Sequence, residues 1–301
     1  MTGPAFAGYF ADPFVLRLPD GGYVTYGTTE VVDGDRAFEA LTSPDLIEWR
    51  SAGPVLPRLP AEAGDQYWAP EALFADGAYW LYYSIGHGIA GHHIRVARSD
   101  WPLGPFTDTG LNLTPGERFA IDPHPYRDVD GTWYLFYAHD VLEGDRVGTM
   151  LAVDRLVTMT QVAGEPTTIL RPDADWQIYL RQREMYGEVW DWHTLEGPFV
   201  RRRGDRLYLF HSGGNWENET YGVAWAEADH PLGPWTPSAD PRRVLYTVEP
   251  WAIGPGHNSL TTAPDGEDAI VYHAWDDARQ RRRMYVAPLR WDDDGPHVPG
   301  F

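Results

Sequence analysis

Short runs of aromatic and β-branched residues recur along the chain, separated by clusters of Gly, Pro and Asp. A run of this composition that is bounded by turn-forming residues predicts a β-strand. An Asp-Gly or Gly-Asp pair, typical of a hairpin turn, precedes each of the five clearest runs. The 301-residue chain has 31 Gly and 26 Pro, which interrupt it too often for long amphipathic helices. The five predicted strands are Tyr23 to Thr29, Tyr79 to Ile85, Trp133 to Ala138, Leu207 to Ser212 and Ala269 to Trp275.

The predicted strands belong to a larger unit that repeats along the chain. A motif that ends on an aromatic residue, such as Pro102-Leu103-Gly104-Pro105-Phe106, follows in three of the units. Repeated multi-strand units with one internal order are typical of a β-propeller, so we predict an all-β, five-bladed β-propeller in which residues 1–301 form a single domain. Two packed β-sandwiches are the alternative, but they would not explain the shared order of motifs. Second strands are predicted at Ile94 to Arg98, Met150 to Val153, Tyr221 to Ala226 and Met284 to Leu289.

Ionisable residues occupy the same position, eight residues before the turn pair, in four of the five units. The first strand of each blade lines the axis of a propeller, so we expect these side chains to converge. Carboxylates that share a pocket differ in pKa, which supplies both the proton donor and the proton acceptor that glycoside hydrolysis requires. The four residues are Asp12, Asp122, Glu196 and His257, and the corresponding segment of the second unit ends on Glu71.

The composition limits the available chemistry. The chain contains neither Cys nor Lys, which excludes disulfides, thiol nucleophiles, Cys-ligated zinc and Schiff-base lysines. The formal net charge of −20 argues against nucleic acid or an anionic membrane as a partner, because both bind basic surfaces. No apolar run is long enough to span a membrane, and the first residues lack the basic and apolar regions of a signal peptide. We therefore expect a cytoplasmic protein.

Five short motifs follow one another along the chain: Ala11-Asp12-Pro13, Trp68-Ala69-Pro70-Glu71, Ile121-Asp122-Pro123, Glu196-Gly197-Pro198 and Gly256-His257-Asn258-Ser259. In this order, and over essentially the whole chain, they resemble the motifs of glycoside hydrolase family 43. The resemblance implies a five-bladed, inverting hydrolase in which Asp12 is the general base and Glu196 the general acid. Asp122 would be the third carboxylate, which orients the acid and adjusts its pKa. The Asn-Asp-Pro-Asn and Arg-Asp-Pro signatures of retaining relatives on the same propeller are absent.

The resemblance also implies residues that bind the substrate. Trp68 corresponds to an aromatic residue that contacts the sugar, and Arg283 is assigned to the sugar hydroxyls, with its neighbour Arg282 as the alternative. Glu71 is expected either to line the pocket or to support a loop. His257 corresponds to a histidine beside an ion near the axis. Calcium, held through water, is favoured over zinc there because calcium takes mostly oxygen ligands. No cofactor is expected to be required.

Three further segments contain residue types that often bind ligands. Trp190 and Trp192 are expected either to form the rim of the pocket or to pack beneath it. The His-rich segment from Gly86 to His93 predicts a mobile loop near the rim, because its spacing matches no common zinc motif. The runs Arg201 to Arg203 and Arg281 to Arg283 each precede a predicted strand, so they are interpreted as solvated hairpin faces.

The expected function is hydrolysis of pentose-containing plant oligosaccharides by an inverting exo-glycosidase. The family resemblance alone implies the pentose. An α-L-arabinofuranosidase is favoured over a β-xylosidase because the five units leave no room for a C-terminal β-sandwich, which many β-xylosidases of the family have. The lack of a signal peptide favours small imported oligosaccharides and exo action. Alternatives are a non-catalytic propeller that binds carbohydrate or protein, and a transferase or phosphorylase. The oligomeric state is left open.

Overall fold

The computed structural model describes residues 3–29, 36–238 and 243–301. Strands dominate these ranges, and their regular helix is limited to two short 3-10 turns at Ala61–Ala63 and Asp175–Gln177. No helix in the described part of the chain has the length and apolar character needed to cross a membrane.

The first two blades are four-stranded antiparallel sheets in which consecutive strands are neighbours. The first blade consists of β1 (Ala11–Arg17), β2 (Tyr23–Thr28), β3 (Arg36–Ser43) and β4 (Arg50–Pro57). The second blade consists of β5 (Gln66–Ala75), β6 (Ala78–His87), β7 (Ala90–Ser99) and β8 (Thr107–Asn112).

The third blade consists of β9 (Ala120–Arg127), β10 (Trp133–Val141) and β11 (Gly148–Thr158), with β12 (Gln161–Val162) and β13 (Thr167–Leu170) paired to β11. The strand β14 (Ile178–Met185) then forms a hairpin with the long strand β15 (Glu188–Arg203). A short parallel pairing of β11 with β15 joins the third and fourth sheets. Gly148 permits this close approach, because a Cβ at that position would lie 1.9 Å from the carbonyl oxygen of His193.

The fourth blade continues from β15 with β16 (Arg206–Gly213), β17 (Gly222–Ala228) and β18 (Thr236–Pro237). The fifth blade consists of β19 (Ile253–Thr262), β20 (Asp268–Trp275) and β21 (Arg282–Pro288), followed by a hairpin of β22 (Arg290–Asp292) and β23 (Gly295–His297). The five strands predicted from composition correspond to β2, β6, β10, β16 and β20, so the all-β prediction is confirmed.

The innermost strands of the five sheets form a closed ring. Each of β1, β5, β9, β15 and β19 contacts the innermost strands of both neighbouring sheets, and β1 contacts β19. Five hydrophobic clusters fill the spaces between successive sheets, including the space between the fifth and the first. Tyr82 and Tyr83 are adjacent in β6 and fully buried in different clusters, because successive side chains of a strand point to opposite faces. Apolar cores on both faces of the sheets make the chain a single domain.

Two segments that the sequence analysis interprets as a loop and as hairpin faces lie largely within strands. The segment from Gly86 to His93 is a tight hairpin, since β6 ends at His87 and β7 begins at Ala90. The basic run from Arg201 to Arg203 lies inside β15, and Arg282 and Arg283 lie inside β21. In each case the strand pairing continues further than the turn-forming or charged residues suggest.

Candidate active site

Each innermost strand has an irregularity in its register at the same level of the ring. At this irregularity one residue adopts a positive φ, between 45° and 59°, which breaks the alternation of side chains along the strand. Sequence motifs with the same offset therefore become neighbours in space. The five positive-φ residues are Asp12, Ala69, Asp122, Gly197 and His257. Glu196 directly precedes the fourth of them.

Hydrogen bonds across the blade junctions hold four of these backbone positions. The N–H of Ala69 donates to Thr28 Oγ1 at 2.8 Å, and the N–H groups of Asp122 and His257 donate to Ser84 Oγ at 2.9 Å and Ser212 Oγ at 2.7 Å. Asp12 N–H closes the ring by donating to Nδ1 of His273 at 3.0 Å.

The junction between the third and fourth blades differs from the others. The equivalent position of the third blade is Ala138, which pairs with Ile121 and has no side-chain acceptor. The N–H of Gly197 instead donates to Oδ2 of Asp122 at 2.9 Å. The backbone that closes this junction thus also positions a carboxylate of the site.

A cavity of about 460 Å³ lies over the ring. Asp12, Asp122 and His257 are buried, Glu196 is partly buried, and all four line the cavity, so the structure brings together the four residues that share the sequence offset. Side chains from the first, second, fourth and fifth blades also line the cavity, namely Tyr9, Phe38, Arg58, Gln66, Tyr67, Trp68, Ile89, Tyr179, Trp216, Glu217 and Arg282.

Asp12 is surrounded by nitrogen atoms of the fifth blade. Its Oδ1 lies 3.4 Å from the guanidinium of Arg282 and 3.4 Å from Nδ1 of His257. Burial by itself favours the neutral carboxyl, but the positive charge of Arg282 opposes it and, together with the imidazoles of His257 and His273, holds the pKa of Asp12 well below its usual range. Asp12 is therefore ionised at neutral pH.

Glu196 has the opposite electrostatic character. Burial raises its pKa to about 7, and the negative charge of Asp12 adds to the rise. The hydroxyl of Tyr221 donates to Glu196 Oε1 at 2.5 Å and limits this rise, because the hydrogen bond stabilises the ionised carboxylate. A substantial fraction of Glu196 is therefore protonated at neutral pH.

The pKa of Asp122 is shifted in the same direction as that of Glu196. Burial, followed by the charges of Glu196 and Asp12, raises the pKa of Asp122 well above its usual value, and the N–H of Gly197 opposes this rise. His257 Nδ1 lies 3.9 Å from Asp122 Oδ2. Burial lowers the pKa of His257, so this imidazole is neutral among the carboxylates.

Arg282, and not Arg283, is the arginine of the fifth blade that reaches the cavity. Arg282 faces Asp12, and its guanidinium donates two hydrogen bonds to Oη of Tyr9 and lies 4.4 Å from the ring of Trp216. Arg283 points away and pairs with Asp276 at 3.4 Å. Successive side chains of a strand point to opposite faces, so only one residue of the pair can line the site.

Glu71 does not line the cavity, which corrects its assignment as a substrate-binding residue. It is buried below the ring, where its Oε2 lies 2.7 Å from Nδ1 of His124. Nε2 of His124 accepts the N–H of Val200 at 3.0 Å, so the Nδ1 atom is the one that holds the proton and donates to Glu71. Glu71 therefore has the supporting role, as a link between the second, third and fourth blades.

Trp68 lines the cavity as the sequence suggests, and its indole stacks on the imidazole of His92 with the ring centres 3.7 Å apart. His92 is 1% exposed, so this histidine packs behind the indole and is not at a mobile rim. Trp190 and Trp192 do not line the cavity. The indole N–H of Trp190 donates to the carbonyl of Met185, and that of Trp192 to Thr149 Oγ1.

The residues present do not form a direct metal-binding set. Among residues 3–29, 36–238 and 243–301, no three His, Cys, Asp or Glu side chains converge in a way that could hold a metal ion. His257 faces two carboxylates through its Nδ1, and one of them is already close to Arg282. Calcium held near His257 through water stays a prediction, and the proposed mechanism does not depend on an ion.

Sequence reasoning missed Tyr221, His273 and Tyr9. Tyr221 begins a predicted strand, and its ring lies against Gly256, where a Cβ would come within 2.0 Å of it. The Gly of the Gly-His-Asn-Ser motif is thus explained by this close approach. His273 could have been found by comparing units, because it occupies the position of Thr28, Ser84 and Ser212 opposite the register irregularity.

Two carboxyl groups held in different protonation states in one sugar-sized cavity are the arrangement that cleaves glycosidic bonds, and they define the chain as a glycoside hydrolase. The matching relatives specify the family. Residues 1–296 match the model of Glycosyl hydrolases family 43, and the chain belongs to that family, as its motifs indicated.

Individual relatives share the architecture over nearly the whole chain. The beta-D-galactofuranosidase xynD of Aspergillus niger is 29% identical, over 98% of this chain and 84% of its own length. An extracellular exo-alpha-(1->5)-L-arabinofuranosidase of Streptomyces avermitilis is also 29% identical, over 97% of this chain and 61% of its own length. The chain thus spans about three fifths of that relative. The crystal structure of a thermostable family-43 glycoside hydrolase superposes with a TM-score of 0.85 at 28% identity, over 100% of this chain and 96% of the other.

Proposed function

We propose that the chain is an inverting exo-glycosidase that hydrolyses pentose-containing plant oligosaccharides, with α-L-arabinofuranosides as the preferred substrates. The observation that supports hydrolysis best is the difference in pKa between Asp12 and Glu196 across one cavity. The cavity volume of about 460 Å³ suits the end of a short oligosaccharide, which favours exo action.

The proposed mechanism uses the two carboxyl groups in complementary roles. Glu196 donates its proton to the glycosidic oxygen as the bond to the anomeric carbon breaks. Asp12, which Arg282 keeps ionised, accepts a proton from the water molecule that attacks the opposite face of the sugar, so the anomeric configuration inverts. Asp122 accepts the N–H of Gly197, the residue next to Glu196, and is proposed to orient the acid and adjust its pKa.

A β-xylosidase and a galactofuranosidase are the competing activities. Curated relatives include a xylan 1,3-beta-xylosidase of a Vibrio species at 23% identity, and the galactofuranosidase of Aspergillus niger matches at the same identity as the arabinofuranosidase of Streptomyces avermitilis. Arabinofuranose and galactofuranose share a five-membered ring, so both competing activities must be assayed beside the proposed one.

The test is a panel of aryl α-L-arabinofuranoside, β-D-xyloside and β-D-galactofuranoside, together with short arabino- and xylo-oligosaccharides. We expect the highest kcat/KM on the arabinofuranosides, release of single sugars from the chain end, and an inverted anomeric configuration in the first product by proton NMR. Turnover that depends on phosphate would instead indicate a phosphorylase. Retained configuration would contradict the role of Asp12 as a base.

A further inference from the structure

Arg58 is a second arginine in the wall of the cavity, and the mechanism above does not use it. It follows β4, and its guanidinium lies 5.2 Å from the ring centre of Tyr67. The hydroxyl of Tyr67 accepts the N–H of Leu59 at 2.7 Å. This hydrogen bond ties the backbone next to Arg58 to the side chain of Tyr67, which restricts the positions that the guanidinium can adopt.

Arg58 has no ionic partner in the part of the chain that the structure describes. Its Nε is buried and makes no hydrogen bond there, and no described carboxylate lies within 4.0 Å of the guanidinium. By contrast, Arg282 in the same cavity faces Asp12, and Arg95 nearby pairs with Asp108. The other N–H donors of the guanidinium also have no acceptor among the described residues, and Arg58 lines the cavity, so they can donate to an oxygen atom of a ligand.

The depth of Arg58 indicates which part of a substrate it meets. Asp12, Asp122 and Glu196 lie at the buried end of the cavity, where the glycosidic bond is cleaved. Arg58 is half-buried, and its neighbours along the same wall, Gln66 and Ile89, are exposed. In an exo-acting enzyme the terminal sugar occupies the buried end, so the sugar that leaves with the glycosidic oxygen extends toward the mouth.

The charge of the cavity indicates that this second sugar is neutral. Five carboxyl groups line the cavity, namely those of Asp12, Asp65, Asp122, Glu196 and Glu217, against the two guanidinium groups of Arg58 and Arg282. An anionic sugar would be repelled by this excess of acid. The N–H donors of a guanidinium bind the hydroxyl oxygens of a neutral sugar without that penalty.

We propose that Arg58 is a specificity-determining residue that binds hydroxyl oxygens of the leaving-group sugar. The inference rests on the proposed exo-glycosidase function. Arg58 should therefore contribute to the binding of a natural oligosaccharide. It should not contribute to the binding of a glycoside with a small aromatic leaving group, which lacks the second sugar.

The test compares Arg58→Ala and Arg58→Lys with the wild type on an arabino-oligosaccharide and on the aryl α-L-arabinofuranoside. Loss of a hydrogen bond from a charged donor is expected to lower kcat/KM on the oligosaccharide by about 10- to 100-fold, chiefly through KM. We expect the aryl glycoside to change by less than about threefold, and Arg58→Lys to retain part of the oligosaccharide activity because it keeps a hydrogen-bond donor at this position. Arg50→Ala is the matched control, since Arg50 belongs to the same blade and its side chain is 82% exposed.

Equal losses on both substrates, or no loss on either, would overturn the inference while leaving the proposed function intact. Activity on the aryl glycoside also shows that each variant is folded. A wild-type protein that cleaves none of the pentosides would instead overturn the proposed function. In that case, calorimetric titration with the same arabino-oligosaccharide tests the role of Arg58 separately from catalysis. The inference requires Arg58→Ala to weaken binding by about tenfold or more.

Discussion

Removing the hydroxyl of Tyr221 is a direct test of how the pKa of Glu196 is set. The hydroxyl donates to Glu196 Oε1 at 2.5 Å; Tyr221 is buried and Glu196 is partly buried. The hydrogen bond stabilises the ionised form of Glu196 more than the neutral form. Tyr221→Phe should therefore raise the pKa of Glu196 above its present value of about 7.

The size of the shift follows from the strength of such a bond. A hydrogen bond to a charged group contributes about 1.5–3 kcal/mol, and one pKa unit corresponds to about 1.4 kcal/mol. We therefore expect the pKa of the acid to rise by about 1 to 2 units. Because the acid must be protonated to act, the alkaline limb of the kcat/KM profile should move to higher pH by the same amount.

The assay is the pH dependence of kcat/KM between about pH 4 and pH 10 on an oligosaccharide whose cleavage needs protonation of the leaving oxygen. Tyr82→Phe is the control, because Tyr82 is equally buried and donates to the carbonyl of Met159 at 2.7 Å, remote from the cavity. It should lower stability without moving the profile. An alkaline limb that stays in place, or moves to lower pH, in Tyr221→Phe would refute the assignment of Glu196 as the acid or of Tyr221 as its partner.

Three further substitutions test other parts of the site. Glu196→Ala should abolish cleavage of oligosaccharides but retain part of the activity on aryl glycosides with an activated leaving group, and equal loss on both would contradict an acid role. Arg282→Met removes the charge that lowers the pKa of Asp12, so the acid limb of kcat/KM should move to higher pH; Arg281→Met, exposed in the preceding turn, should leave it unchanged. Glu71→Ala leaves the buried Nδ1–H of His124 without an acceptor and should lower the free energy of unfolding by about 1–3 kcal/mol in denaturant titrations, whereas a raised KM would return Glu71 to the substrate site.

Much of the fold could be predicted because the repeated pattern is local. Each turn pair, strand and aromatic motif is encoded within a few residues, and the order of the units along the chain is also their order around the ring. The offset from the turn places Asp12 and Asp122 at equivalent positions for the same reason, whereas Glu196 lies one residue before the equivalent position of its blade. The repeat itself required no knowledge of tertiary contacts.

The remaining features depend on contacts that one unit does not encode. The choice between Arg282 and Arg283 depends on strand register, since a shift of one residue exchanges the faces of β21. The role of Glu71 depends on His124 of the next blade. The role of Tyr221, which directly precedes β17, depends on Glu196 in β15, the innermost strand of the same blade. These partners are brought together by packing across the sheets, which sequence periodicity does not describe.

The closure of the ring between β1 and β19 has a consequence for how activity develops during folding. Asp12 donates its N–H to a histidine 261 residues further along the chain and contacts an arginine 270 residues away. Contacts of such long sequence separation form late, because loop closure over a long chain is entropically costly. The first and last blades must therefore meet before the base acquires its environment, and enzymatic turnover during refolding should report the final joining of the chain's two ends.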